Sequence, residues 1–482
     1  MRTDGWHSAV LDKNITMGGL TTTQHDTRHR YASFYANAGY TYSNKYNLTG
    51  SIRWDEADLF GVNTNDQHHP LWSVGAGWNI SEEDFMRPVT WLDYLKLRAT
   101  YGVNGNVDQS STTYFVATYK TQSNPVKTQY LKYDDDDLPN PDLRWEKTAT
   151  TNFGIDFAVL DNRINGSIDY YNRHASDLLV RKYMDPTVGA KSHVINNGEM
   201  RNRGIELTLN ATIYKNRDWN IGATLTYAHN SNKMLTVDHS ESDYASLFIL
   251  SPTNYLWQGT SYNTLWAYTY SRTVNGYPVI KDENGNEMAT FDEQGNVTSV
   301  TTSSSLKGTA ALRNMGTLTP TYNGSLNLHV GWRGLELNAF FVYAGGNKLR
   351  LPTADLAAWD VATNDITNRW STTNNVPRLY LDMDKTAQAY AGTFSEWWRY
   401  SDVQVADADY IKLRSVSLAY TLPTQWTSAI HLGQTRFSFQ VNNLFTACKA
   451  GHHIDPESYS MNSGTRGMAI PRTFAIGLST SF

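Results

Sequence analysis

The sequence predicts an all-β protein folded as an antiparallel transmembrane β-barrel, and three observations support this fold class. Aromatic residues make up 13% of the 482 residues, including 15 Trp and 30 Tyr, a composition typical of strands. Apolar and polar residues alternate along segments of about 9–12 residues, the length that a tilted strand needs to cross a bilayer. The connections between these segments alternate between short and long. Together these features indicate strands that cross a membrane repeatedly.

The alternation is clearest between residues 204 and 213, where every second residue is apolar. This apolar set is Ile205, Leu207, Leu209, Ala211 and Ile213. Because successive side chains of a strand point to opposite faces, one face of this segment is apolar and the other is polar. The same pattern closes the chain. We therefore predict a C-terminal barrel strand whose apolar face comprises Phe474, Ile476, Leu478 and Phe482.

Thirteen segments with this pattern can be placed along the chain. We predict strands near 31–43, 46–56, 71–80, 94–103, 150–160, 163–174, 203–214, 218–229, 321–330, 335–344, 410–421, 435–443 and 472–482. Residues 1–30 are expected either to lie on the outer side of the membrane or to contain one further strand. Residues 31–482 are then the barrel itself.

The predicted connections differ in length in a regular order. Short ones are expected at 44–45, 161–162, 215–217 and 331–334, and modest ones at 81–93 and 422–434. The long ones are 57–70, 104–149, 175–202, 230–320, 345–409 and 444–471. Outer-membrane barrels have short periplasmic turns and long extracellular loops. The order therefore predicts a bacterial outer-membrane barrel whose last strand descends to the periplasmic side.

Composition and motifs argue against several other classes of protein. The net charge is −5 and the basic residues are scattered, which disfavours a nucleic-acid partner. The single cysteine, Cys448, excludes an internal disulfide and a multi-cysteine metal site. The sequence contains no Gly-x-Ser-x-Gly, His-Glu-x-x-His or phosphate-binding Gly-Lys-Thr/Ser motif. We expect no enzymatic activity and no cofactor.

Acidic and histidine-rich segments were weighed as metal sites. The spacing within 282–286 and 292–296 does not fit a calcium-binding loop, so we predict tight hairpin turns there. Residues 134–137 are four consecutive aspartates, and a solvated acidic loop is the more common outcome of such a run. Adjacent histidines at 68–69 and 452–453 point apart on an extended chain. No metal site is predicted.

Aromatic residues in the long loops are the candidate ligand-binding residues. A flat ring can stack on the apolar face of a sugar or enclose a peptide side chain. The alternative is that these rings pack the loops against one another or line a protein interface, which is at least as common for each of them. The candidates are Trp257, Trp266, Tyr268, Trp370, Trp397 and Trp398.

Several short segments, in order along the chain, resemble SusC/RagA-type TonB-dependent transporters of Bacteroidetes. They include YNLTGSIR at 46–53, LKLRATYG at 95–102, NPDLRWEKT at 140–148, MRNRGIE at 200–206 and DYIKLRSVSLAY at 409–420. The resemblance implies the C-terminal part of a barrel of about 22 strands, of which 13 or 14 lie in this chain. No signal peptide, plug domain or TonB-contacting box is found in the sequence. We expect either a truncated gene product or a second chain that supplies the first part.

The resemblance also implies a function and partners. The chain would be the barrel component of an outer-membrane nutrient importer that takes up oligosaccharides or oligopeptides. The partners would be a SusD-like surface lipoprotein acting as a lid, an N-terminal plug and barrel segment on the same or another chain, TonB through that segment, and outer-membrane lipid. Two alternatives remain open. One is a passive pore or surface glycan-binding protein without energy coupling, and the other is a soluble, secreted glycan-binding β-sandwich or adhesin.

Overall fold

The fold is known from a computed structural model. It describes residues 31–57, 70–106, 117–121, 129–133, 142, 144–183, 187, 192–238, 243–358, 370–371, 373–374, 376–429 and 431–481. Thirteen strands in this part of the chain form one sheet. The predicted outer segment or strand within residues 1–30 lies outside the described residues.

The strands of this sheet follow one another in chain order, and each pairs antiparallel with its neighbours in sequence. They are β1 Tyr31–Tyr42, β2 Tyr46–Ala57, β3 Leu71–Asn79, β4 Leu92–Asn106, β5 Glu146–Val159, β6 Ile164–Tyr183, β7 Ser192–Lys215, β8 Trp219–Thr236, β9 Tyr322–Trp332, β10 Leu335–Gly345, β11 Tyr410–Thr421, β12 Thr435–Cys448 and β13 Thr473–Thr480. The predicted all-β antiparallel architecture is confirmed, and all 13 predicted strands are present.

The predicted loop at 175–202 is wrong over most of its length. There β6 and β7 continue as an extended hairpin of 20 and 24 residues, longer than a bilayer requires. The register shifts after Ala175, and Asp177 has a φ of 56°. This irregularity interrupts the alternation of apolar and polar residues, so the pattern that predicts a strand ends there. Hydrogen bonding between β6 and β7 resumes beyond it. The connection that remains between β6 and β7 is shorter than the periplasmic connection between β3 and β4. Loop length alone therefore does not identify the side of the membrane.

The outer face of the sheet is a continuous apolar surface. One row across the strands consists of Tyr40, Leu48, Ala76, Ala99, Phe153, Tyr170 and Ile205. A second row consists of Ile221, Val330, Leu337, Leu418, Phe439 and Ile476. On β13, Phe474, Ile476 and Leu478 are all more than half exposed on this face, whereas Phe482 lies outside the described residues. Such a surface faces lipid in an outer-membrane barrel.

Aromatic residues collect near the strand ends beside the short turns. Trp219 and Trp332 lie opposite each other there, with ring centroids 5.9 Å apart. Other rings at this level are Tyr42, Tyr46, Trp78, Trp91 and Tyr420. Amphipathic rings at this position match the aromatic girdle of membrane barrels. Among the described residues, no helix is long and apolar enough to cross a membrane.

The extracellular connections contain most of the remaining structure. Their helices are α1 Ala245–Leu250, α2 Lys385–Gln388 and α3 Ala391–Arg399, whereas α4 Thr424–Ser428 lies in a periplasmic turn. Short strands are Ala117–Thr121, Gln129–Tyr133, Thr264–Tyr268, Tyr270–Val274, Tyr277–Ile280, Ala289–Phe291, Val297–Val300, Leu312–Thr317, Lys348–Arg350, Val405–Asp407, Tyr459–Ser460 and Thr465–Arg466. Residues from 245–312 and 354–397 share one buried apolar cluster, the loop core. The two longest loops therefore pack as one unit.

Candidate functional site

Three of the six predicted ligand-binding aromatics lie inside the loop core. Tyr268 and Trp397 are fully buried, and Trp266 is 6% exposed. The Tyr268 hydroxyl donates to Glu396 Oε1 at 2.6 Å, and Trp397 packs edge-on against Phe394 with centroids 5.6 Å apart. Burial and the neighbouring Glu396 raise the pKa of Tyr268. These three rings present almost no surface to a ligand in this structure, and they hold the two loops together.

The other three candidates are partly exposed at the edge of the loop core. Trp257 packs edge-on against Phe248 at 5.6 Å between centroids. The Arg378 guanidinium covers Trp370 at 3.5 Å from the ring centroid. Trp398 packs edge-on against Tyr270 at 6.1 Å. A ligand-binding role for these three rings stays a prediction.

Trp398 also lines a cavity of about 230 Å³ in the extracellular loops. The remaining wall consists of Leu351, Pro352, Thr353, Ala354, Leu356, Val376, Pro377, Leu379 and Gln404. None of these residues is charged. Thr353 Oγ1 is buried without a hydrogen-bond partner, and Gln404 is 7% exposed. The cavity can therefore accept a small uncharged group that makes both apolar and polar contacts with its wall.

A buried arginine supports the loop core beneath this cavity wall. Arg350 is fully buried, and its Nη2 donates to the backbone oxygen of Trp266. Its Nε and Nη1 have no partner, and its guanidinium lies 5.0 Å from the ring centre of Tyr400. Burial lowers the pKa of Arg350 to about 10. No pattern in the sequence identified this residue, because a single arginine in a loop is usually solvated.

The inner face of the sheet is polar and internally paired. Arg98 donates to both Asp156 oxygens, at 2.8 and 2.9 Å, and to Asp169 at 3.0 Å. The guanidinium reaches Asp169 by crossing Gly154, where a Cβ would lie 2.6 Å from it. Further along the same face, Thr226 and Ser325 hydroxyls lie 2.8 Å apart. The alternation predicted a polar face, but only the strand register shows which charges meet.

The extracellular end of β11 carries a second charged network. Lys412 Nζ lies 2.5 Å from Asp455 and 2.7 Å from Glu457, and its side chain is only 4% exposed. Arg414 also pairs with Glu457. Burial raises the pKa of Glu457, but the hydrogen bonds from Arg414 and Lys412 outweigh it, so the pKa is lowered overall. This network fixes the loop between β12 and β13 against the barrel.

The two predicted tight turns are confirmed. Asp282 Oδ1 accepts from the backbone nitrogens of Asn284 and Asn286 at 2.9 and 2.8 Å. Asp292 Oδ1 accepts from the backbone nitrogens of Gln294 and Asn296 at 3.0 and 2.7 Å. Within the described residues, no group of three or more His, Cys, Asp or Glu side chains could hold a metal ion. The histidines at 68–69 and the aspartates at 134–137 lie outside that part of the chain.

Comparison with known proteins decides the family. The family described as TonB dependent receptor-like, beta-barrel matches residues 3–444. The chain belongs to this family. TonB-dependent receptor P3 of Formosa agariphila is 25% identical, with 96% of this chain and 47% of the relative covered. TonB-dependent receptor SusC of Bacteroides thetaiotaomicron is 27% identical, with 95% and 44% covered.

Among solved structures, the RagAB peptide transporter matches with a TM-score of 0.73 and 23% identity, covering 98% of this chain and 50% of that one. This chain therefore shares its fold with the matched half of the RagAB peptide transporter. The SusC/RagA-type resemblance and the outer-membrane location predicted from sequence are confirmed. The chain spans about half the length of these relatives.

Proposed function

We propose that this chain is the barrel component of a TonB-dependent importer of oligosaccharides or oligopeptides. The observation that carries the proposal is the 13-stranded membrane sheet of a TonB-dependent receptor, with a polar inner wall below a packed loop core. A polar interior with an apolar exterior suits passage of a hydrophilic nutrient. The RagAB structure, whose fold this chain shares, is described as a peptide importer.

The proposed transporter also includes further components. A further segment supplies the plug and the strands that complete the barrel, and it contacts TonB. A SusD-like lipoprotein covers the extracellular loops. The SusC relative and the RagAB fold match support both proposals. The uncharged cavity beside Trp398 and the partly exposed rings of Trp257 and Trp370 are the proposed contacts with substrate, which can be a glycan or a peptide.

A growth and capture experiment tests the function. Cells lacking the gene are expected to lose growth on one class of oligosaccharide or oligopeptide and to regain it with the wild-type gene. Affinity purification of the chain in mild detergent is expected to recover a plug-containing segment and a surface lipoprotein. Unimpaired growth on every oligomer tested, together with a chain that is soluble and monomeric without detergent, contradicts the proposal.

A further inference from the structure

The lipid-facing surface of β1–β5 contains a groove outside the polar inner wall proposed for transport. In the row that crosses these strands, Ala76 and Ala99 lie directly opposite each other between Leu48 and Phe153. Two small side chains therefore interrupt a row of large ones. The resulting groove has a volume of about 730 Å³, and its walls are almost entirely apolar. Its volume and apolar lining suit a hydrocarbon chain.

Two aromatic side chains form the periplasmic end of the groove, and both are fixed in place. Tyr46 Oη donates to Glu83 at 2.6 Å, and Trp78 Nε1 donates to the same carboxylate at 3.0 Å. Lys45 Nζ also lies 3.0 Å from Glu83. Hydrogen bonds to Tyr46, Lys45 and Trp78 lower the pKa of Glu83 to about 2, so it stays ionised. This end of the groove is a rigid wall at the level of the lipid headgroups.

The charges beside this wall favour one kind of headgroup. The turn after β3 places Glu82, Glu83 and Asp84 in succession, against the cations Lys45 and Arg87. Arg87 pairs with Asp84 at 2.8 Å, and both side chains are largely exposed. The cluster therefore combines accessible cationic and anionic groups with one surplus negative charge. A zwitterionic headgroup with a terminal amine complements it, whereas a headgroup with only a negative charge is repelled.

We propose that the groove seats one acyl chain of a phosphatidylethanolamine from the periplasmic leaflet. The chain lies over Ala76 and Ala99, and the rings of Tyr46 and Trp78 border it at the headgroup end. The ammonium group faces the Glu82–Asp84 carboxylates, and the phosphate faces Lys45 and Arg87. This lipid site is a feature of the barrel wall and does not depend on which nutrient is imported.

Native mass spectrometry of the assembled transporter tests the site. The transporter is delipidated in mild detergent and offered equal amounts of phosphatidylethanolamine and phosphatidylglycerol with identical acyl chains. The wild type is expected to retain phosphatidylethanolamine preferentially. Filling the groove with Ala76→Leu and Ala99→Leu should lower its retention about tenfold. The matched control is Ala211→Leu with Ala223→Leu, a second pair of outward-facing alanines opposite each other, and it should retain the lipid as the wild type does.

Photolabelling of the wild type tests the same site without any substitution in the groove. Phosphatidylethanolamine with a diazirine in its acyl chain should label wild-type peptides containing Ala76 and Ala99. Neutralising two carboxylates of the turn with Glu82→Gln and Asp84→Asn should reduce the preference for phosphatidylethanolamine over phosphatidylglycerol. Equal retention of the two lipids by the wild type, or labelling spread evenly over the outer face, overturns the proposal. So does a second polypeptide bound at this groove and released by the filled variant.

Discussion

At the residue scale, Gly324 on the lipid-facing side of β9 is required by close packing. A Cβ there would lie 2.1 Å from the backbone oxygen of Thr226 and 2.4 Å from the Tyr343 hydroxyl. That hydroxyl donates to the same oxygen at 3.0 Å. The Tyr343 ring therefore occupies the space beside the glycine and covers the pairing of β8 with β9.

We expect Gly324→Ala to destabilise the barrel by about 1–3 kcal/mol, because either the ring or the backbone must move. The measurement is the denaturant midpoint of the folded band of the assembled transporter in unboiled gels. Gly50→Ala is the matched control, since its nearest contact would be an ordinary 4.0 Å. Equal midpoints for the two variants would contradict this explanation of Gly324.

The ionisation of Glu457 makes the stability of the loop between β12 and β13 depend on pH. Its pKa is lowered by its cationic partners despite burial, so its ionised form stabilises the folded loop. That contribution is complete above the unfolded pKa of about 4.3 and is lost as the pH falls through the lower folded value. Amide exchange around residues 455–460 is expected to accelerate below about pH 4 relative to the rest of the barrel. Glu457→Gln should remove this acceleration, and an unchanged acid response in that variant would count against the prediction.

At the scale of elements, the extended β6–β7 hairpin depends on an irregular position. Asp177 has a φ of 56°, and its carboxylate pairs with Arg144 at 2.6 Å and with Lys147 at 3.2 Å. Its backbone oxygen accepts from Asn196 Nδ2 at 2.8 Å. One residue therefore ties the segment before β5 to both strands of the hairpin.

We expect Asp177→Ala to destabilise the outer part of this hairpin by about 1–2 kcal/mol, because alanine loses both ion pairs and disfavours a positive φ. Hydrogen exchange over residues 176–198 measures it. Asp177→Asn tolerates the backbone conformation and removes only the charge, so its effect should be smaller. Equal effects of the two substitutions would show that the charge alone decides, and would contradict a role for the backbone conformation.

At the scale of the whole molecule, the sheet has two outer strands, β1 and β13, that each pair on one side only within the described residues. Unpaired backbone groups cost several kcal/mol each in lipid. Single-chain bacterial barrels also have even numbers of strands, whereas this sheet has 13. Further strands beside β1 and β13 are therefore needed for a stable barrel.

We expect the chain expressed alone to aggregate, and the chain expressed with the plug and the preceding strands of a related transporter to give a heat-modifiable barrel. Unboiled gel mobility after extraction in detergent distinguishes the two. A variant with Phe474→Asp and Ile476→Asp is the control for correct insertion, because charges on the lipid face should prevent it. A stable heat-modifiable species from the chain alone would show that it closes without a partner.

The sequence by itself determined the strands and their two faces, because alternation is a local property of the chain. Its short segments, in order along the chain, also carried the resemblance to the family that the comparisons show. The tertiary structure decided which loop aromatics are buried. Tyr268 meets Glu396 only when two long loops fold together, and no local pattern encodes that contact. The groove over Ala76 and Ala99 likewise depends on strand register. The extended hairpin was missed because the irregularity at Asp177 breaks the alternation while hydrogen bonding resumes beyond it.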